Sequence, residues 1–329
     1  MGGVSRQTYS ATFPPDRFYC LLDELPLHLV PRPASAVKSQ AAGRDLFLNP
    51  ECTLYTGEAW PEEVASHKEL LSAFALQGTI AWVRDANTAS LVPFWLGPKL
   101  ESIVTGLRID ERIPDSVPAW ARSILESAGI LVSADSIAHR RAEREEALRR
   151  AAELFQKKGY APLRGLIHPF HIAALRRYYR YLIRTGRITL GDGQSSRRYV
   201  ACNDPVARFF HRLITIPLSA VAGEPVKPSY VYMASYLSGA ELKKHVDREQ
   251  CEFSITLCLD FSPEPDLASP WPIRLDTPTG TVTVYQALGD GLAYRGTRLP
   301  HYRSPLGNGQ TSTSIFFHYV AADFTGSLD

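Results

Sequence analysis

After Pro228 the chain changes texture. The runs SYVYMASYL, CEFSITLCLDF, WPIRLDT, GTVTVYQAL, GLAYRGTRL and STSIFFHYV are short, apolar and rich in β-branched or aromatic residues. Between them stand LSGAE, SPEPDLASP, DTPTG, LGDG and LGNGQ, clusters of the residues that make turns. Regularly spaced short strands closed by such turns build an all-β sandwich or barrel and not a βαβ sheet. The carboxyl-terminal region is therefore expected to be β-rich and to form one domain.

The preceding residues read differently. Over 1–135, short apolar runs alternate with Pro and Gly. GTIAWVRDANTASLVPFWLG reads as a hairpin, with AWV and LVPFW as strands and RDANTAS as the turn. PEEVASHKELLSAFALQ carries apolar residues at helical spacing behind an acidic first turn, and WARSILESAGILV reads as a helix ending at Gly129. Helix, hairpin and helix predict a small α+β, winged-helix-like unit. From 136 to 158 a long helix is expected, with Asp135 or Ser136 as cap and Gly159 as stop. A strand in YAPLRGLI and a second helix in PFHIAALRRYYRYLIRTG follow, within a domain running from 159 to 329.

Composition excludes little. With 329 residues, of which 45% are hydrophobic, the chain can bury the cores of one large domain or two ordinary ones. A net charge of +2 gives no reason to expect a nucleic-acid or membrane partner. The one asymmetry is residues 136–200, which hold 15 Lys and Arg against 5 Asp and Glu. Amphipathic helices with arginines on the wet face are preferred there over a docking surface for an acidic partner. Five scattered cysteines (Cys20, Cys52, Cys202, Cys251, Cys258) suggest neither a disulfide framework nor a zinc knuckle, and fit a reducing cytoplasm. MGGVSRQTYS lacks the apolar core of a leader, and no run reaches the length of a membrane span.

Chemistry concentrates in LKKHVDREQC and GTRLPHYR. One residue separates His245 from Asp247, so on a strand or its end both side chains share a face. His301 follows after enough chain to cross a sheet several times and return. Two imidazoles and one carboxylate on one face, with three positions open, make the ligand set of ferrous oxygenases. An HxD pair alone is weak. Here it follows YLSGAEL, precedes a β-rich run and is answered by a histidine after a GDG turn and a strand.

In YLSGAELKKHVDREQC, LGDGLAYRGTRLPHYRSPL and GQTSTSIFFHYV the sequence resembles the Fe(II)/2-oxoglutarate-dependent oxygenases, particularly their prolyl-hydroxylase-like branch. The likeness covers roughly half the chain and fades near Phe155. It implies a double-stranded β-helix, or jelly roll, with supporting helices, and Fe(II) held by His245, Asp247 and His301. It further implies that 2-oxoglutarate chelates the metal, that O2 binds, and that oxidative decarboxylation arms the site to take hydrogen from an unactivated carbon. A carboxylate at 247, in place of the Ala or Gly that would admit a halide, favours hydroxylation.

The family places an Arg or Lys shortly past the distal histidine, in a GxR-like step, to pair the far carboxylate of 2-oxoglutarate. This chain has Thr311 there. A dicarboxylate buried without a countercharge is costly, so another cation is expected. Arg303, two residues from His301, is the first candidate, and Arg274 in WPIRL the second. Tyr236 occupies the place of a tyrosine that contacts the cosubstrate, with Ser312 and Thr313 as weaker donors. His318 reads as a buried core histidine, His168 and His171 as a helix entry, and Asp290 as a turn residue.

The leading expectation is thus an Fe(II)- and 2-oxoglutarate-dependent hydroxylase acting on an amino acid, a peptide or a natural-product intermediate. Thr311 motivates an alternative, an iron oxygenase on the same fold that does not use 2-oxoglutarate. A third reading, a degenerate jelly-roll binding protein, is weakened by the intact ligand set. The amino-terminal unit is expected to gather a peptide or partner protein, brace the barrel or make a dimer contact.

Overall fold

A computed structural model describes residues 13–31 and 45–328; the stretch read above for a leader lies outside them. β1 (Phe47–Leu48) and β2 (Cys52–Thr56) lead through a short helix α1 (Glu62–Ala65) and a 3-10 segment, Lys68–Ala73, to β3 (Thr79–Arg84) and β4 (Leu91–Leu96). The expected hairpin is β3–β4, and β2 adds a third antiparallel strand. Its turn is shaped by Asp85, whose carboxylate accepts from the amides of Asn87 and Thr88. The single helix expected over PEEVASHKELLSAFALQ does not form. Phe18 exchanges backbone hydrogen bonds with Ala73 and Ala75, and this pairing pulls the end of the segment out of helical conformation. Tertiary contact overrides local propensity here. α2 (Pro98–Val104) and α3 (Ala119–Ser127) follow, and the chain turns at Gly129, φ +75°, into β5 (Leu131–Val132), which pairs with β1.

The long helix α4 (Ser136–Lys158) stops at Gly159, φ 77°, as expected. Asp135 precedes it but makes no capping bond, and the Ser136 hydroxyl donates to the Ser133 carbonyl instead. β6 (Tyr160–Leu163), α5 (Pro169–Arg184), β7 (Thr189–Leu190), β8 (Arg198–Cys202) and α6 (Pro205–Ala222) come next. α6 was not anticipated, although its signals stand in the sequence. Asp204 caps the Val206 and Ala207 amides, Pro205 begins the first turn, and Gly223 closes the last.

Eight strands complete the chain: β9 (Val226–Tyr236), β10 (Leu242–His245), β11 (Phe253–Ser262), β12 (Ile273–Thr277), β13 (Gly280–Val284), β14 (Gly291–Arg295), β15 (His301–Arg303) and β16 (Thr311–Ala321). With β6, β7 and β8 they form two antiparallel sheets, ordered β6-β14-β11-β16-β9-β8-β7 and β10-β15-β12-β13. Ile273 and Leu275 of the smaller sheet pack on Leu292 and Tyr294 of the larger, so the sheets face each other as a jelly roll. The outer face of the large sheet, Ile255, Leu257, Ile315 and Phe317 among its residues, is covered by α5 and α6. β11 is buried on both faces, which explains its nearly unbroken apolar sequence.

The same apolar core runs from Phe18 through Trp95 to Tyr319, so the amino-terminal sheet and the jelly roll share one interior. Arg176 of α5 fastens them. Fully buried, it bonds Asp260 at 2.9 Å, Glu264 at 2.7 Å and the Leu29 carbonyl at 2.6 Å. This corrects the expectation that arginines of the basic segment all face solvent: Arg176 and Arg198 are buried, and Arg177 stacks 3.4 Å over Tyr19. No helix among the described residues is long and apolar enough to cross a membrane.

Candidate metal centre

Strand pairing brings the three expected ligands together. His245 ends β10 and lies opposite His301 at the start of β15; the rings are 4.4 Å apart between centroids. Asp247 follows on the segment leaving β10. Its Oδ1 lies 3.5 Å from Nε2 of each histidine. All three donor atoms fall within 4.8 Å of one another, a spread that one cation at ordinary ligand distances can span.

Both imidazoles are turned for ligation. Nδ1 of His245 is 2.7 Å from the Lys243 carbonyl, and Nδ1 of His301 is 3.0 Å from that of Leu299. A carbonyl only accepts, so each Nδ1 carries the proton and each Nε2 presents a lone pair. Burial works to raise the Asp247 carboxyl, but His245 and His301 beside it hold it far below the usual carboxylate range. It is ionised, the state in which it binds metal.

Gly296 makes room for this carboxylate. A Cβ there would fall 2.4 Å from Asp247 Oδ2, 2.4 Å from the Cys251 carbonyl and 2.7 Å from Ser254 Oγ. The Gly296 carbonyl also accepts from the Asp247 amide at 2.9 Å. Sequence reasoning missed this residue, and its only sequence signal was a glycine directly after the β14 run.

The centre opens into a cavity of about 1050 Å³. Its walls carry Tyr230, Tyr232, Tyr236, Tyr294, Phe316 and His318, and charged groups stand among them: Arg197, Arg198, Lys243 and Arg248 against Asp192 and Glu241. Arg198, also missed, is buried and held by Asp192 at 2.6 Å, with its guanidinium 3.2 Å from the Tyr236 hydroxyl. Asp192, held to about 2 by Arg198 and Tyr232 against the pull of burial, neutralises it.

Of the expected cosubstrate residues, one lines the cavity, two lie on the inner faces of their strands without lining it, and one points away. Tyr236 is on the cavity wall, and Ser312 pairs with it across β9 and β16. Arg303 shares the inner face of β15 with His301 and is 4% exposed. Its acceptors, the Trp271 carbonyl and Gln286 Oε1, are neutral, its Nε has no partner, and burial pushes its pKa down. It lies just behind the wall, beside Tyr236 and Tyr294. Thr256 and Ser314, on the same inner side, also hold buried hydroxyls without partners. Arg274 is on the other face: its register partner is Tyr302, and its guanidinium meets the Ser304 hydroxyl at the surface. Strand alternation turns it away from the cavity.

Among the other expectations, His168 caps α5 by accepting from the Phe170 amide, and Asp290 accepts from Gly165 and Ala287 in its turn. Thr313 bonds Ser235 rather than anything in the cavity. His318 is buried, but it also lines the cavity and forms a second grouping with Asp247 and Cys251.

No family model matches the chain, and a search of the curated proteins found no match. Solved structures similar to it include the non-haem α-ketoglutarate-dependent epimerase SnoN from nogalamycin biosynthesis, at 15% identity over 54% of this chain and 82% of that one, TM-score 0.45. A Pseudomonas putida prolyl-4-hydroxylase is 16% identical over 53% of this chain and 98% of its own, TM-score 0.44. HygX from Streptomyces hygroscopicus, solved with nickel, 2-oxoglutarate and hygromycin B, is 13% identical over 54% and 88%, TM-score 0.43.

Proposed function

We propose that the protein is a non-haem Fe(II)- and 2-oxoglutarate-dependent oxygenase that hydroxylates a small molecule or a peptide. The observation that carries this reading is the ligand set itself: two histidines with their Nδ1 protons tied to carbonyls, and an ionised carboxylate in a space that only a glycine at 296 leaves open. Bound Fe(II) with 2-oxoglutarate would supply O2 activation and hydrogen abstraction, with succinate and CO2 as coproducts. The chain's own task is to hold, orient and screen. His245, Asp247 and His301 would hold the metal through one oxygen and two nitrogens and leave room for cosubstrate, O2 and substrate.

The far carboxylate of 2-oxoglutarate is assigned to Arg303. A guanidinium buried at 4% exposure with only neutral acceptors carries a desolvation cost that an incoming carboxylate offsets. The orphaned hydroxyls of Thr256 and Ser314 supply further donors. Tyr236 lines the cavity and lies close to the Arg303 guanidinium. Arg198 is the poorer candidate, because Asp192 already neutralises it. A cavity of about 1050 Å³ exceeds what a single amino acid fills, which favours a bulky substrate.

One observation favours a second reading. Because Arg303 lies behind the wall and not on it, an iron oxygenase that draws electrons from its own substrate would also fit. Anaerobic titration of the Fe(II)-loaded protein with 2-oxoglutarate separates the two. A saturable visible charge-transfer band, lost in His245→Ala, is expected. Iron binding without the band points to the second reading, and no iron binding removes both.

A further inference from the structure

Asp247 is held on both sides. Oδ1 faces the two ligand histidines, while Oδ2 lies 2.9 Å from the Ser254 hydroxyl. Ser254 Oγ is in turn 2.9 Å from Nδ1 of His318. Ser254 and His318 are register partners on β11 and β16, so the two central strands of the large sheet fix their spacing.

The polarity of this chain follows from its end. An ionised carboxylate only accepts, so the single Ser254 proton points to Asp247. Ser254 then offers His318 nothing but a lone pair, and the proton between them belongs to Nδ1 of His318. The longer 3.4 Å approach of Ser254 to the Cys251 carbonyl does not compete for that proton on equal terms. His318 is left with an unprotonated Nε2, its ring on the cavity wall against Tyr230, 4.7 Å between centroids.

The geometry points to Ser254 and His318 as positioning residues of the metal centre: the chain from His318 through Ser254 occupies Asp247 Oδ2 and keeps the carboxylate a one-oxygen ligand. A carboxylate free to swing would take a second coordination position with Oδ2 and leave two open positions in place of three. Gly296 serves the same end, since any Cβ there would displace both Oδ2 and the Ser254 hydroxyl. The inference rests on the iron reading above, and it concerns residues that do not touch the metal.

Cobalt(II) tests it without turnover. The full chain would be titrated anaerobically with Co(II), following the visible ligand-field bands, for wild type, Ser254→Ala, His318→Leu and His318→Asn. The asparagine amide can donate from the place of Nδ1, whereas leucine cannot. Ser254→Ala and His318→Leu are expected to bind Co(II) on the order of tenfold more weakly with altered bands; His318→Asn should recover most of the wild-type spectrum. Should His318→Leu fail to fold, Ser254→Ala carries the test alone, because a buried serine loses little volume. Wild-type affinity and spectrum in a folded Ser254→Ala protein overturn the positioning role and leave the iron site standing. Absence of Co(II) binding to the wild type overturns the iron site, and the positioning role with it.

Discussion

Arg176 and Arg303 are both buried, and they are buried on different terms. Arg176, fully enclosed, meets two carboxylates and a carbonyl. Arg303, at 4% exposure, meets a carbonyl and an amide oxygen, has an Nε with no partner, and faces no acid. A buried charge persists when it is paired or when the fold needs it unpaired. Arg176 is the first case: it ties the Leu29 segment, α5 and β11 together, and its countercharges are present in the fold. Arg303 stands two residues from His301, on the same strand face, and its acceptors are both neutral. On the function proposed above, the contrast separates a structural cation from a receptive one.

The largest effect should come from removing the receptive one. Arg303→Met is expected to weaken 2-oxoglutarate binding to the Fe(II) protein by about 4 kcal/mol, on the order of a thousandfold, because the carboxylate would enter a buried site without a partner. Thermal stability should stay level or rise, since an uncompensated charge is gone. Titration of the charge-transfer band and a melting curve measure both. Unchanged affinity would erase the distinction and favour the 2-oxoglutarate-independent reading.

Arg176→Met should do the reverse. Asp260 keeps Arg180, at 2.6 Å and 2.8 Å, but Glu264 and the Leu29 carbonyl lose their donor. A loss of about 3 kcal/mol is expected, a fall of roughly 6 °C in Tm. The protein that remains folded should bind 2-oxoglutarate as the wild type does. Weakened cosubstrate binding at low temperature would show that the two arginines are not independent.

Sequence reading singled out one arginine and not the other, for a physical reason. Arg303 was singled out because strand alternation from His301 is local and has a period of two. Arg176 sits in a basic helical run where every arginine looks like part of a wet face, and only the distant Asp260, Glu264 and Leu29 reveal otherwise. The clustering of His245, Asp247 and His301 was legible because HxD spacing and strand order are local patterns. Gly296, Ser254 and Arg198 were not, since their roles depend on which strands meet. The hairpin, α4 and α5 were legible from turn chemistry and helix ends. The stretch around Lys68–Ala73 was not, because Phe18, far away in sequence, decides its conformation.

The smallest effect tests where the missing cation belongs. Alternation along β16 puts Ser312, Ser314, Phe316 and His318 on the inner face, and Ser312 is the register partner of the wall residue Tyr236. Thr311, one residue earlier, turns to the other face, so the position matched by resemblance alone is off the cavity by one step of the strand. In the Arg303→Met background, Ser312→Arg should therefore recover about 1 kcal/mol of 2-oxoglutarate binding, roughly fivefold, while Thr311→Arg should recover nothing. The gain stays small because Ser312 is 2% exposed and a long side chain enters that space only with repacking. Recovery by Thr311→Arg alone would mean that the strand start twists out of register, and that the anion pocket opens toward the outer face of the sheet.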